Sequence, residues 1–181
     1  SSHTGALAGS EQAYQSAFGH AGIIRAGTVE ELLDWCHALS CQPLPTGDGM
    51  AVLTNAGGPG VLAVDALQRA GLHLASLEAS TLGALQTRFP PECALHNPVD
   101  LLAAADAAGY ADALGLLLAD KNVSGVVVLH VPHVLVDAPR VLEAIGRTAQ
   151  AQAKPVVASL FGDYAGTPEL ETLFRHSVPN F

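Results

Sequence analysis

At 181 residues, 49% of them hydrophobic, the chain has material for one full domain and a fragment of another. Eight basic side chains against 17 acidic ones give a net charge of −9, which argues against nucleic acid or an anionic membrane as partner. No apolar run reaches the ~18–20 residues of a membrane-spanning helix, and no signal-peptide pattern opens the chain. Cys36, Cys41 and Cys93 form no C-x-x-C pair; they read as buried reduced thiols of a cytoplasmic protein, with no metal site.

The first predicted element is a helix in SEQAYQSAFGHAG, with Ser10 as N-cap and Ala13, Ala17 and Phe18 on one face. GIIRA, a β-branched run, reads as a short strand. Thr28 followed by Glu31 is a capping box that opens a helix over TVEELLDWCHAL. SCQPLPTGDG, with two prolines and two glycines, is a break. After it the pattern becomes regular. MAVLT is a strand, and the helix beyond the next turn runs to about Ala70. LHLASL is a second strand, with a helix from Ser80 or Thr81 to Arg88. FPPECALHNPVDL is loop around a short strand, and a helix follows near Gly109–Ala119. GVVVLHV is a strand, a helix covers about Ala138–Ala151, PVVASL is a strand, and PELETLFRHS is the last helix. Continuous apolar strands alternating with helices predict an α/β, three-layer, Rossmann-like sandwich around a mostly parallel sheet.

In such a sheet, ligands gather where strands turn into helices at their carboxyl ends. NAGGPG, Asn55–Gly60, lies at such a place. Its glycines allow close backbone approach, Pro59 suits a first helical position, and free N–H groups with the helix dipole favour an anion. It is neither a Walker A loop nor a G-x-G-x-x-G fingerprint. An anion site and a merely tight turn both fit it. His3, flanked by Ser2 and Thr4 in SSHTGALAG, could be a nucleophile or proton carrier, or an inert terminal histidine. His130 and His133 in LHVPHVLVD sit at the end of a strand, where a pocket would open. His20, His37, His73 and His176 read as surface decoration. Asn97 and Asp100 in HNPVDL are either an Asx-turn or part of a pocket wall.

SSHTGALAGSEQAYQSAFGHAGIIR, VLTNAGGPGVLAVDAL and NPVDL, in this order and spacing, resemble the NDP-forming (ADP-forming) acyl-CoA synthetases, relatives of succinyl-CoA synthetase. The resemblance spans nearly the whole chain. It implies residues 1–42 as the tail of a CoA-ligase domain carrying a histidine loop, 43–49 as linker, and 50–181 as a flavodoxin-like ligase domain cut short at its end. SSHTG and VPNF then read as cut edges. It also implies that His3 carries a phosphoryl group, with Ser2 and Thr4 beside it. Asn55, Ala56, Gly57, Gly58 and Gly60 would form one of two helix N-termini holding that group, and Asn97, Asp100, His130 and His133 would border the acyl end of the pocket. CoA and ATP or ADP with Mg would bind mainly outside this chain, in CoA-binding and ATP-grasp domains or subunits, within an oligomer. A flavin-binding flavodoxin fits less well, for want of a hydroxyl-rich phosphate loop. A second possibility within the resemblance is a synthetase-like regulatory region, sensing acyl-CoA inside a protein lysine acetyltransferase.

Overall fold

The computed structural model describes residues 10–151, 153–162, 164 and 167–181, with Glu169 described by its backbone alone. Contacts divide the chain into two units, Ser1–Cys36 and His37–Phe181. In the first, helix α1 (Glu11–Ala21) stops at Gly22, whose φ of 66° is left-handed, and Ile23 N–H closes back on Phe18 O at 2.9 Å. The Ser10 side chain makes no cap bond to this helix. The strand expected at GIIRA is absent among the described residues. Gly22 is spent on ending the helix, Ile23 and Ile24 are exposed, and no strand among the described residues of the unit offers them a ladder. Helix α2 (Val29–Cys41) opens as its capping box predicts. Glu31 N–H donates to Thr28 Oγ1 at 3.1 Å, and the Glu31 carboxylate reaches back to Gly27 N–H at 2.7 Å. Cys36 is exposed on this helix, against the expectation of a buried thiol, whereas Cys93 is buried.

The second unit alternates strand and helix. Its elements are β1 (Gly49–Thr54), α3 (Gly57–Arg69), β2 (His73–Leu74), α4 (Ala79–Arg88), β3 (Val99–Asp100), α5 (Ala107–Ala119), β4 (Gly125–His130), α6 (Ala138–Gln150), β5 (Val156–Leu160) and α7 (Pro168–Arg175). Every strand pair is parallel. β4 runs along one edge of β1 with β5 beyond it, and β2 and β3 share the other edge of β1. A parallel bridge from Ala158 to Asn180 adds the start of a further strand outside β5.

Side chains alternate across the sheet, so successive residues of β1 feed two cores. Ala51 and Leu53 join Val126, Val128, Tyr110, Leu114 and Ile145 in the larger one, while Met50 and Val52 join Leu67 and Leu129 in the smaller one. All six residues of β1 are buried, as a central parallel strand covered on both faces requires. Asp106 and Asp137 cap α5 and α6 by accepting Gly109 N–H at 2.9 Å and Arg140 N–H at 3.3 Å.

The expected strand at LHLASL is ordered as a strand only over β2, and Asn97 supplies the reason. Its carboxamide oxygen accepts Val52 N–H at 3.0 Å, and its amide donates to Met50 O at 2.8 Å and Ala75 O at 3.0 Å. A side-chain amide therefore stands in for a peptide group in the gap between β2 and β3. His176 is not surface decoration. Its ring contacts Gln150 Oε1 at 2.9 Å and Glu143 Oε2 at 3.2 Å, in a space that exists because Gly146 has no Cβ. His37 likewise has a buried Nε2, with its ring 5.6 Å from that of Phe174.

Candidate functional site

β1 continues on one side into β2 and β3 and on the other pairs with β4, so the strand order reverses between β1 and β4. The carboxyl ends of these two strands therefore flank the position at which open α/β sheets bind ligands. Residues 55–60 leave β1 there, and residues 131–136 leave β4.

Helix α3 begins two residues earlier than the sequence suggests, with Ala56 as N-cap and Gly57 as first helical residue, so Pro59 stands third. At that place, too, its missing N–H would have had no intrahelical acceptor. The turn spends several of its own donors. Ala56 N–H donates to Thr54 Oγ1 at 3.0 Å, the Thr54 hydroxyl donates to Ala56 O at 2.9 Å, and Gly60 N–H bonds Ala56 O at 3.2 Å. A Cβ on Gly60 would lie 3.3 Å from Thr54 Cγ2, so Gly60 lets α3 sit closely on β1. The N–H groups of Gly57 and Gly58 are the ones that helix geometry leaves without an intrahelical acceptor. A Cβ on Gly58 would meet nothing within 4 Å, so this side of the turn is open.

Asn55 is 2% exposed and does not turn its side chain to the opening. Its amide donates to Val131 O at 2.8 Å and its oxygen accepts Val131 N–H at 2.9 Å, tying the end of β1 to the end of β4. One residue further back, His130 O accepts Phe161 N–H at 2.9 Å, at the end of β5.

Asp100 ends β3 beside the turn. Its Oδ1 accepts Leu102 N–H at 2.9 Å in an Asx-turn, and its Oδ2 lies 3.5 Å from where a Cβ on Gly57 would stand. His130 is fully buried, with Nδ1 3.4 Å from the Tyr110 hydroxyl and Nε2 without a hydrogen-bond partner among the described residues. Burial pushes its pKa down, disfavouring the charged ring. Tyr110 donates to Leu129 O at 2.9 Å; burial, and then the Asp100 carboxylate, push its pKa far up. The turn, Asp100, His130 and Val131 thus gather at one edge. His133 accepts Leu135 N–H at 3.4 Å within its own loop, and no hydrogen bond among the described residues joins it to the turn. Ser2, His3 and Thr4 lie outside the described residues.

The basic side chains are largely engaged with other groups. Arg88, Lys121, Arg140 and Arg147 are paired with Asp112, Glu78, Asp137 and Glu143. Lys154 bonds Asp120 O, Arg175 bonds Thr172, and Arg25 bonds Glu11 in the first unit. Arg69 is at the far end of α3, ~18 Å along the axis at 1.5 Å per residue. An anion at the turn would be met by the peptide N–H groups and the helix dipole, with the Asp100 carboxylate beside Gly57 acting against it. Sequence reasoning missed a cavity of about 430 Å³ beyond β3, lined by Phe89, Cys93, Leu101, Leu102, Ala105 and Asp106 among others. No periodicity marks it, because its walls come from three separate segments. It contains none of the residues of the Asn55–Gly60 turn.

Residues 50–181 match the Ligase-CoA domain family, and residues 1–39 match the succinyl-CoA ligase like flavodoxin domain. The chain belongs to the Ligase-CoA domain family. It is 37% identical to the alpha subunit of acetate–CoA ligase [ADP-forming] II of Pyrococcus furiosus, over 99% of this chain and 40% of that subunit. It is 32% identical to 4-hydroxybutyrate–CoA ligase [ADP-forming] of Nitrosopumilus maritimus, over 99% of this chain and 26% of that protein. Among solved structures, the dinucleotide-forming acetyl-coenzyme A synthetase 1 of Ca. Korarchaeum cryptofilum, in complex with phosphate and ADP, is 29% identical with a TM-score of 0.89. That match covers 99% of this chain and 39% of that one. The chain thus spans two fifths or less of these relatives' length. It shares with them the α/β fold built on a mostly parallel sheet. No helix among the described residues is long and apolar enough to cross a membrane.

Proposed function

We propose that the chain is the phosphohistidine segment and flavodoxin-like ligase domain of an NDP-forming acyl-CoA synthetase. The overall reaction is acyl-CoA + NDP + phosphate ⇌ carboxylate + NTP + CoA. In this reading residues 1–42 end a CoA-ligase domain, residues 43–49 link it onward, and His3, between Ser2 and Thr4, carries the phosphoryl group. The observation that carries the proposal is the first turn of α3, where the exposed Gly57 and Gly58 present their N–H groups at the strand-order reversal. A phosphoramidate on imidazole must be shielded from water yet released, and peptide dipoles hold an anion without locking it. Asn55, Ala56 and Gly60 then serve by building the turn.

The residues present fit a phosphoryl anion. CoA, nucleotide and Mg are assigned to CoA-binding and ATP-grasp domains or subunits outside the 181 residues, in an oligomeric cytoplasmic enzyme. Asp100, with His130 behind it, would border the carboxylate end of the pocket; Asn97 and His133 would stand further out. Acid–thiol ligase activity supplies the test. The complete protein with its nucleotide-binding partner should make ATP from acetyl-CoA, phosphate and ADP, and His3→Ala should abolish this. Undiminished turnover in that variant would sink the role given to His3. Acetyl transfer to protein lysine without phosphorylation of His3 would point instead to the regulatory region of an acetyltransferase.

A further inference from the structure

We propose that Asn55 is a positioning residue that couples the anion turn to the loop leaving β4, so that occupancy of the turn is felt at Val131. The inference rests on the reading of the α3 turn as an anion site. Three observations carry it. The Asn55 side chain is 2% exposed, so its two hydrogen bonds are shielded from water. Both bonds run to one residue, Val131, 76 positions away, and they use the amide as donor and the carbonyl as acceptor. The residue immediately after Asn55 is the N-cap of α3, so a shift of the carboxamide displaces the start of the helix whose Gly57 and Gly58 N–H groups face the anion.

The paired geometry also separates orientation from bulk. A neutral carboxyl group can reproduce it, one oxygen accepting Val131 N–H and the hydroxyl donating to Val131 O. A carboxylate cannot, because its second oxygen then faces the Val131 carbonyl with no proton between them. Asn55→Asp is therefore a switch whose setting follows pH, whereas Asn55→Ala removes both bonds at every pH. His130 stands next to the clamp and hands its own carbonyl to Phe161 N–H, so a displacement of Val131 also reaches the end of β5.

The titratable groups at this edge are the His130 imidazole of β4, whose Nδ1 lies 3.4 Å from the Tyr110 hydroxyl of α5, and the Asp100 carboxylate of β3, whose Oδ2 lies 3.5 Å from where a Cβ on Gly57 would stand. Of these, the Asp100 carboxylate and the His130 ring are present in the native chain and in the variant alike. Affinities are therefore read as the ratio of variant to native at the same pH, which also cancels the titration of phosphate itself.

The test uses the isotope-labelled 181-residue chain and inorganic phosphate, with amide resonances followed by NMR. In the native chain, phosphate should shift the Gly57 and Gly58 amides and slow hydrogen exchange at the Val131 amide. In Asn55→Asp, whose buried carboxyl is held protonated to higher pH than an exposed aspartate, the affinity ratio should approach one at pH 5 and fall about tenfold by pH 9, and in Asn55→Ala it should be low throughout. Circular dichroism at each pH shows that the comparison is between folded chains. Shifts at Gly57 and Gly58 with unchanged exchange at Val131, or a flat ratio in folded Asn55→Asp, would overturn the coupling while leaving the anion site intact. If phosphate moves neither glycine in the native chain, the anion reading itself fails. Should both variants fail to fold, the Val131 exchange experiment on the native chain decides alone.

Discussion

Replacing Asn97 with alanine removes three hydrogen bonds at once, to Val52 N–H, Met50 O and Ala75 O. Met50 O keeps Ala75 N–H as a partner at 2.8 Å, so its loss is that of one ordinary bond, about 1 kcal/mol. Val52 N–H and Ala75 O are stranded, in residues 0% and 4% exposed, and each buried orphan costs about 1–3 kcal/mol. Asn97 is only half-buried, so water can reach part of the gap and the lower end applies. The sum is about 3 kcal/mol, a large share of the ~5–15 kcal/mol that holds a domain together. With a urea slope of about 2 kcal/mol per molar, the unfolding midpoint should fall by about 1.5 M. Exposed His96, one residue earlier, is the control, and His96→Ala should move the midpoint by less than ~0.3 M. An Asn97→Ala midpoint as close to native as that of the control would refute the role of the carboxamide in the ladder.

Gly146→Ala should be destabilising by about 2 kcal/mol, because the new Cβ would stand 2.5 Å from His176 Cδ2 in the α6–α7 contact. His176→Ala should relieve most of that loss, and strictly additive losses in thermal unfolding would count against the clash. Burial acts to raise the Asp120 pKa, but the Thr81 hydroxyl, the N–H groups of Glu78 and Asn122 and the Lys154 charge outweigh it, and the folded-state value is lowered. Its contribution to stability is then complete above the ordinary carboxylate pKa of about 4, and is lost as pH falls through the lower folded value. Asp120→Asn should flatten this acid limb between pH 5 and pH 2 in urea titrations, and an unchanged limb would exclude Asp120 as its source.

The strands that the structure buries on both faces were legible because they are continuous apolar runs. MAVLT and GVVVLH can hardly be anything else between turn signals. The helix start at Thr28 follows from side-chain chemistry acting over three residues, which a sequence displays directly, whereas the Asp106 cap starts α5 at Ala107, two residues ahead of the Gly109 read from the sequence. GIIRA misled because β-branched composition marks a preference, and a strand exists only where another strand accepts its hydrogen bonds. LHLASL misled in the opposite way, since Asn97 takes part of the edge that a longer β2 would have used. The site was half legible. Three glycines after a strand point to a close approach, but which N–H groups remain available depends on Thr54, whose hydroxyl claims Ala56. The resemblance groups Asn55 with the glycines. Its partner is 76 residues away, and no local pattern encodes that distance.

The claim of Thr54 on Ala56 N–H has a consequence for strength. Three N–H groups converging on a tetrahedral oxyanion make a grip, whereas the two left at Gly57 and Gly58 would touch only one side of one. Each such bond adds only ~1 kcal/mol net, and a helix end contributes about as much again at an open surface. An anion resting on this turn alone is a passenger rather than a tenant. The threonine that completes the fold of the turn is thus also what keeps it from becoming a trap.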